Sequence, residues 1–118
     1  QTQISIGQQK LTVELAANDD DRQLGLMHRK TQAQQSAMVF EFDDSRQFCM
    51  WMKNTLIPLS VAFADENGTI TNIEDMQPQT EDTHCANSPV RYALEMNLGW
   101  FARQNIRPGM RIELPAKK

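Results

Sequence analysis

The sequence has little of what marks several common classes of protein. No Gly-rich phosphate loop, internal repeat or low-complexity linker is present among its 118 residues, which include five Gly and five Pro. The longest nearly apolar stretch, Leu56 to Ala64, contains Pro58 and Ser60 and falls far short of the ~20 residues that cross a bilayer. A formal net charge of −3 argues against nucleic acid as a partner, since phosphate binding needs clustered Lys and Arg.

Recognisable catalytic and metal-binding signatures are also missing. The sequence contains no G-x-S-x-G and no H-E-x-x-H, and neither His28 nor His84 belongs to a recognisable triad. Its seven Met residues could in principle ligate copper, but most fall on the apolar side of predicted strands, where Met is an ordinary core residue. We therefore expect no bound metal and no cofactor.

Two cysteines leave a structural question open. Cys49 and Cys85 are the right number for one disulfide in an oxidising compartment. The alternative is a pair of partly buried free thiols that act as small hydrophobic residues. The chain begins Gln-Thr-Gln rather than with Met, and we expect that a segment was removed before residue 1.

Apolar and polar residues alternate over most of the chain, which predicts seven or eight short strands. Gly7 and the Asn67-Gly68 pair mark hairpin turns. Two short helices are predicted, one that begins at Asn18 and one over Leu98 to Asn105. The strands are predicted over the following segments: Gln3–Leu15 (as a hairpin), 38–42, 48–53, 59–63, 69–76, 90–96 and 110–114, with a turn at 43–45 and a surface loop at 77–88.

This pattern predicts an α+β fold that is mainly β. Because neighbouring strands are joined by short turns, we expect antiparallel pairing in a strongly curved sheet or small barrel, with the two helices at its periphery. The length suits a single domain over residues 1–118.

Four segments together resemble the family known as domain of unknown function 192. They are RQLGLMHR (22–29), AMVFEF (37–42), MWMKNTLIPL (50–59) and PVRYALE (89–95). The resemblance covers about Leu11 to Leu114 and implies a compact β-rich domain of no established activity. Many members carry an export signal, so a periplasmic or extracellular protein is implied. Ala37, Met50 and Ser60 stand where the family pattern prefers Gly, Phe and Asp, and the last difference removes a carboxylate.

The motif Lys53-Asn54-Thr55 is the first part of a hypothetical ligand site. A cation, an amide and a hydroxyl suit a carboxylate, a phosphate or a sugar. The alternative is a structural corner, in which Asn54 and Thr55 bond to nearby backbone and Lys53 pairs with an acid.

Arg91, Glu95 and Glu74 complete the hypothetical site. Arg91 and Glu95 lie four residues apart on one predicted strand, about 13 Å from each other, so each needs another partner. Glu95 could pair with Lys53, and Arg91 with Glu74 or Asp75, either as structural ion pairs or as the lining of a pocket.

Two functional hypotheses follow. The first is a noncatalytic, monomeric module of the cell envelope that binds a small polar ligand or a protein partner. The second is a small hydrolase or transferase that acts on a carbohydrate or related envelope compound, with Glu95 or Glu74 as acid/base and Lys53 or Arg91 orienting the substrate. A concavity of a few hundred Å3 that holds a carboxyl group with a raised pKa beside a cation would favour catalysis. A shallow or filled site in which these charges are paired would favour binding.

Overall fold

The computed structural model describes residues 2–7, 9–16, 38–52 and 55–114. The predicted helix that begins at Asn18 lies outside these residues. The described elements are β1 (Thr2–Ile6), β2 (Gln9–Ala16), β3 (Met38–Arg46), β4 (Cys49–Met50), β5 (Leu59–Ala64), β6 (Ile70–Met76), β7 (His84–Cys85), β8 (Val90–Asn97), α1 (Trp100–Arg103) and β9 (Ile112–Glu113). None of the helical residues among them forms a segment long and apolar enough to span a membrane.

Seven strands form one curled sheet in the order β6-β5-β8-β3-β2-β1-β9, and β4 and β7 form a separate two-stranded sheet. The fold class expected from the sequence is confirmed: the protein is mostly β with very little helix. The β1–β2 and β5–β6 hairpins form where the turn residues predict them, with Gly7 at φ 58° and Gly68 at φ 87°. These positive φ angles are ones that glycine adopts at little cost.

One strand pair departs from the expected antiparallel pattern. Strands β2 and β3 are parallel, with Leu15 opposite Val39. A parallel pair requires a crossover connection of about a dozen residues or more, and residues 17–37 provide that length.

The sheet curls until its two edge strands meet at one end. Thr69, at the start of β6, forms a bridge with Arg111 just before β9. Three backbone hydrogen bonds join the same segments: Ile70 N–H to the Met110 carbonyl at 2.8 Å, Gly109 N–H to the Ile70 carbonyl at 2.8 Å, and Ile112 N–H to the Gly68 carbonyl at 2.7 Å. The result is a half-barrel whose exposed edges are short.

The inner face of this half-barrel carries the first hydrophobic core. Residues from all seven strands of the sheet contribute to it, and α1 adds Trp100 and Phe101, both 2% exposed. The helix is shorter than the predicted segment 98–105. Trp100 and Phe101 form its buried face, and Ala102 is exposed. Gly99, at φ 81°, redirects the chain from β8 into α1.

The outer face of the sheet carries a second hydrophobic core. It includes Met38 and Phe40 from β3, Ala93 from β8, and Val61 and Phe63 from β5. Every residue of β5 is buried, because one side of the strand faces the inner core and the other faces this second core.

An outer layer covers this second core. We use that name for the described residues of 48–58 and 77–89, among which Met52 and Ile57 are buried against the sheet. β4 and β7 lie in the outer layer and are joined by a disulfide between the directly opposed Cys49 and Cys85. A cross-link that closes a loop of 36 residues contributes about 4 kcal/mol to folding in the chain-entropy account.

Two local expectations are corrected in this region. The predicted turn at 43–45 is absent, because β3 continues to Arg46 and only its register with β8 shifts there. Residues 77–88 are more than a surface loop, since they contain β7 and pair with β4. The sequence gives no local signal for this pairing, which depends on a covalent bond between distant residues.

The substitution Gly68→Ala tests the closure of the half-barrel. A Cβ at position 68 would collide with the carbonyl oxygen of Ile112, and the φ angle is also unfavourable for alanine. We expect a loss of unfolding free energy well above the ~1 kcal/mol of a positive-φ site alone, measured by urea denaturation. Gly109→Ala is the matched control, because Gly109 has φ 95° but no atom within 4 Å of the added Cβ. Equal losses in the two variants would contradict the close approach.

Candidate functional site

A row of four directly paired residues crosses the outer face of the sheet. Val61 of β5 lies opposite Glu74 of β6 on one side and Glu95 of β8 on the other, and Glu95 in turn lies opposite Met38 of β3. Directly paired residues share a face, so both carboxylates lie on the face that carries the second core. Two strand spacings separate the Cα atoms of Glu74 and Glu95, a distance of about 10 Å.

Glu95 is the most unusual residue of this row. It is only 5% exposed, and it lies among apolar side chains of the second core. Loss of solvent around the ionised carboxylate raises the pKa of Glu95 from 4.5 to about 7. No described residue forms a hydrogen bond or an ion pair with it. Burial of a carboxyl group that none of the described residues compensates is costly to folding, and such groups are candidates for a functional site.

Glu74 lies at the more open end of the same row. Its side chain is 39% exposed, and its Oε1 atom is 3.9 Å from Nδ1 of His84. The amide of Asn72 donates to the other carboxylate oxygen of Glu74 at 3.2 Å and to the carbonyl of Cys85 at 3.1 Å. Asn72 also accepts a hydrogen bond from the backbone N–H of Asn87 at 3.1 Å. Its hydrogen bonds to Cys85 and Asn87 therefore join the outer layer to the sheet.

The remaining hypothetical site residues divide into two groups. Thr55 is 4% exposed, and its backbone N–H donates to the Met52 carbonyl at 3.0 Å, so it lies in the outer layer that covers Glu95's face. Lys53 and Asn54 lie outside the described residues. The expected partnership of Glu95 with Lys53 therefore stays a prediction.

Arg91 is held by backbone rather than by a carboxylate. Its Nε atom donates to the carbonyl of Phe42 at 2.6 Å, and it is half-buried. Neither Glu74 nor Asp75 is its partner: Asp75 accepts instead from the hydroxyl of Ser60 at 2.7 Å. The structure thus places Glu74, Glu95 and Arg91 on the outer sheet face and Thr55 in the outer layer, and it uses Arg91 to join β8 to β3.

Ser60, where the family pattern has an acid, has a clear structural role. It is buried, its hydroxyl donates to Asp75, and the same oxygen accepts from the N–H of Gly99 at 3.0 Å. Asp75 lies on the neighbouring strand, directly opposite Ser60. A carboxylate is therefore present at this end of the sheet even though position 60 lacks one.

Sequence reasoning missed Asn72 and the approach of His84 to Glu74. Both contacts join β6 to the outer layer, and they depend on where the disulfide places β7. The sequence contains one signal for Asn72. It lies two residues before Glu74 and four before Met76, so the three residues share one face of the strand.

A surface groove of about 420 Å3 lies elsewhere, beside the short strand β9. It is lined by Gln3, Ile4, Ser5, Lys10, Glu113 and Leu114. The titratable groups of this groove, Lys10 and Glu113, are exposed to solvent. We place the candidate site at Glu95 instead, because chemistry depends on polar groups that are withdrawn from water.

No group of three His, Cys, Asp or Glu side chains suited to a metal ion occurs in residues 2–7, 9–16, 38–52 and 55–114. The outer face offers one buried and one half-exposed carboxylate, with a histidine beside the latter. These groups can accept hydrogen bonds from a small molecule, and the carboxylates can form an ion pair with a positively charged one.

Comparison with known families gives the class of this protein. The model of the DUF192 family, described as "Uncharacterized ACR", matches residues 2–114. The match covers nearly the whole curled sheet, from β1 to the end of β9. The chain therefore belongs to the DUF192 family, as the four sequence segments indicated. No curated protein gives a significant match.

Two solved structures are similar over most of the chain. A protein from Sinorhizobium meliloti 1021, described as a proposed transcription regulator, is 38% identical with a TM-score of 0.92, covering 96% of this chain and 92% of that one. A protein of unknown function from Novosphingobium aromaticivorans DSM 12444 is 29% identical with a TM-score of 0.90, covering 94% of this chain and 83% of that one. Neither description defines a ligand or a reaction.

The substitution Glu95→Gln tests the buried carboxyl group through the pH dependence of stability. Glu95 keeps its proton up to about pH 7 in the folded state, but loses it near pH 4.5 in the unfolded state. Between these pH values, only the folded state is protonated. The free energy of unfolding of the wild type should therefore fall as pH rises through this window, by about 3 kcal/mol. Glu95→Gln should lack this fall.

Urea denaturation of both proteins at several pH values from 4 to 9 measures the difference. Glu66→Gln, at the exposed tip of the β5–β6 hairpin, is the control and should behave as the wild type. Parallel pH profiles of wild type and Glu95→Gln would contradict the burial of an uncompensated carboxyl group.

Proposed function

We propose that this protein is a noncatalytic binding module of the cell envelope that recognises a small polar ligand at its outer sheet face. One observation carries the proposal: Glu95 is buried on that face and has no partner among the described residues. A ligand that bonds to this carboxyl group would supply an interaction that no residue of the described part of the chain provides. The cost of burying it in the free protein would then be recovered on binding.

The surroundings of Glu95 support a ligand rather than a protein partner. The face is covered by the outer layer, so a partner protein could not lie flat against it. The exposed apolar residues Trp51 and Leu56, 43% and 38% exposed, lie on the outer layer itself and are few. Thr55 and the Glu74–Asn72 pair add polar groups on the same side of the sheet.

Export is the second part of the proposal. The Cys49–Cys85 disulfide supports it, because such bonds persist in oxidising compartments and are rare in a reducing cytosol.

Alkylation of the protein in its host cells after an acid quench tests whether this disulfide is present there. We expect no alkyl groups without reductant and two after reduction, by intact mass. Two alkyl groups without reductant would show free thiols and contradict export.

A second candidate function is favoured by the pKa of Glu95. A carboxyl group with a pKa of about 7 is suited to donate and accept protons at neutral pH. Glu74 on the same face could act as the second carboxylate of a hydrolase or transferase for a carbohydrate or related compound. The binding module is preferred, because Arg91, the cation on the same face of β8, is held by the Phe42 carbonyl and lies about 13 Å along the strand from Glu95.

We do not extend the description of the Sinorhizobium meliloti protein to this chain. Recognition of nucleic acid requires clustered Lys and Arg that face phosphates. The chain has a formal net charge of −3, and the face that carries the candidate site contributes two carboxylates.

A thermal-shift screen tests the proposed function. The panel contains sugars, nucleotides, organic acids, amines and divalent metals, applied to the wild type and to Glu95→Gln. A specific ligand at 100 times its dissociation constant should add about 2.7 kcal/mol to the stability of the wild type and much less to that of the variant. A hit that is recovered chemically unchanged supports the binding module.

Two other outcomes would decide against this proposal. If the protein consumes the ligand and Glu95→Gln does not, the second candidate function replaces the first. If no compound stabilises the wild type, or if the variant responds equally, Glu95 is not part of a small-molecule site.

A further inference from the structure

We propose that the ligand bound at the outer sheet face carries a protonated primary amine, which forms an ion pair with Glu95. This inference rests on the proposed function and narrows it to one class of ligand. It follows from three properties of the face: the charge of the row around Glu95, the lack of donors to Glu95 among the described residues, and the apolar side chains on either side of it.

The charge of the face comes first. The positions paired in the row with Glu95 are Met38, Val61 and Glu74, so the row holds two carboxylates and no Lys or Arg. Arg91 lies on the same face of β8, but about 13 Å along the strand from Glu95, and it donates to the Phe42 carbonyl. In the outer layer, His84 lies 3.9 Å from Glu74. A negatively charged face of this kind favours a cation and disfavours phosphates, sulfates and carboxylates.

Hydrogen bonding gives the second argument. An ionised carboxylate needs several donors when it is removed from water, and no described residue supplies one to Glu95. A neutral sugar hydroxyl would offer a single donor and no charge. A primary ammonium group offers three donors and a full positive charge, so it compensates the desolvated carboxylate better.

The apolar neighbours complete the argument. Glu95 lies directly between Met38 and Val61, both of them buried in the second core. An amine on an alkyl chain would place its ammonium group at the carboxylate and its methylene groups against these side chains. Met adapts its shape easily, which suits a position where a ligand must insert between sheet and outer layer.

Few described groups could change the pH dependence of amine binding at Glu95. In the described part of this face they are Glu74 of β6, Arg91 of β8 and His84 of β7. The facing positions of β3 and β5 are apolar, and Met52, Thr55 and Ile57 of the outer layer carry no charge. Lys53 lies outside the described residues, and the experiment below includes it for that reason.

The test uses n-butylamine as the probe, with n-butanol and butyrate as neutral and anionic probes of the same length. Isothermal titration calorimetry at pH 8 should detect binding of n-butylamine to the wild type and no binding of the other two. Binding should weaken by about tenfold at pH 6, because Glu95, with a pKa of about 7, is then mostly protonated. Glu95→Gln should bind at least about 30-fold more weakly, as expected when one partner of a buried ion pair loses its charge.

Three results would overturn the proposal, each in a different way. If n-butanol or butyrate binds in a Glu95-dependent manner, the binding module stands but its ligand is not an amine. If n-butylamine binds only to Lys53→Met, the lysine of the chain itself fills the position. If none of the three probes binds while the ligand screen yields a Glu95-dependent compound without an amine, the amine inference fails and the proposed function survives.

Discussion

The structure depends on a sheet that is apolar on both faces. A half-barrel normally needs only a filled interior, but β5 is buried at every residue, and its side chains alternate between an inner and an outer core. The outer face would be exposed if residues 48–58 and 77–89 did not cover it. Those segments have little regular structure, since β4 and β7 contain two residues each. The disulfide and the contacts of Asn72 therefore hold the outer layer in place.

The same constraint explains why Glu95 is informative. A two-layer arrangement of this kind favours apolar side chains between sheet and cover, and nearly all positions there obey that preference. Glu95 departs from it at a central position of the sheet, between Val61 and Met38, where a charge is most costly. Ser60 and Asp75 show how polar groups at the sheet are usually accommodated. The Ser60 hydroxyl donates to Asp75, and its oxygen accepts from the N–H of Gly99. Glu95 has no such solution among the described residues, and this difference separates the candidate site from the rest of the polar network.

Much of the fold could be predicted because it depends on local chemistry. Period-two alternation placed β1, β2, β6 and β8, and the positive-φ glycines Gly7 and Gly68 placed two hairpins. The candidate site was predicted less well. Glu74 and Glu95 share a face, but Arg91 does not pair with Glu74 or Asp75, because its guanidinium donates to the Phe42 carbonyl on a neighbouring strand. Strand order decides such contacts, and alternation does not encode strand order.

The sequence by itself determined the family, the β-rich class and the inward or outward direction of most side chains, since these follow from motifs and from the two-residue repeat of a strand. Only the tertiary structure decided that β2 and β3 are parallel, that Cys49 lies opposite Cys85, and that a second core lies under the outer layer. It also decided the state of Glu95. Desolvation depends on everything packed around a carboxyl group, and residues far apart in the chain, here Met38 and Val61, surround this one.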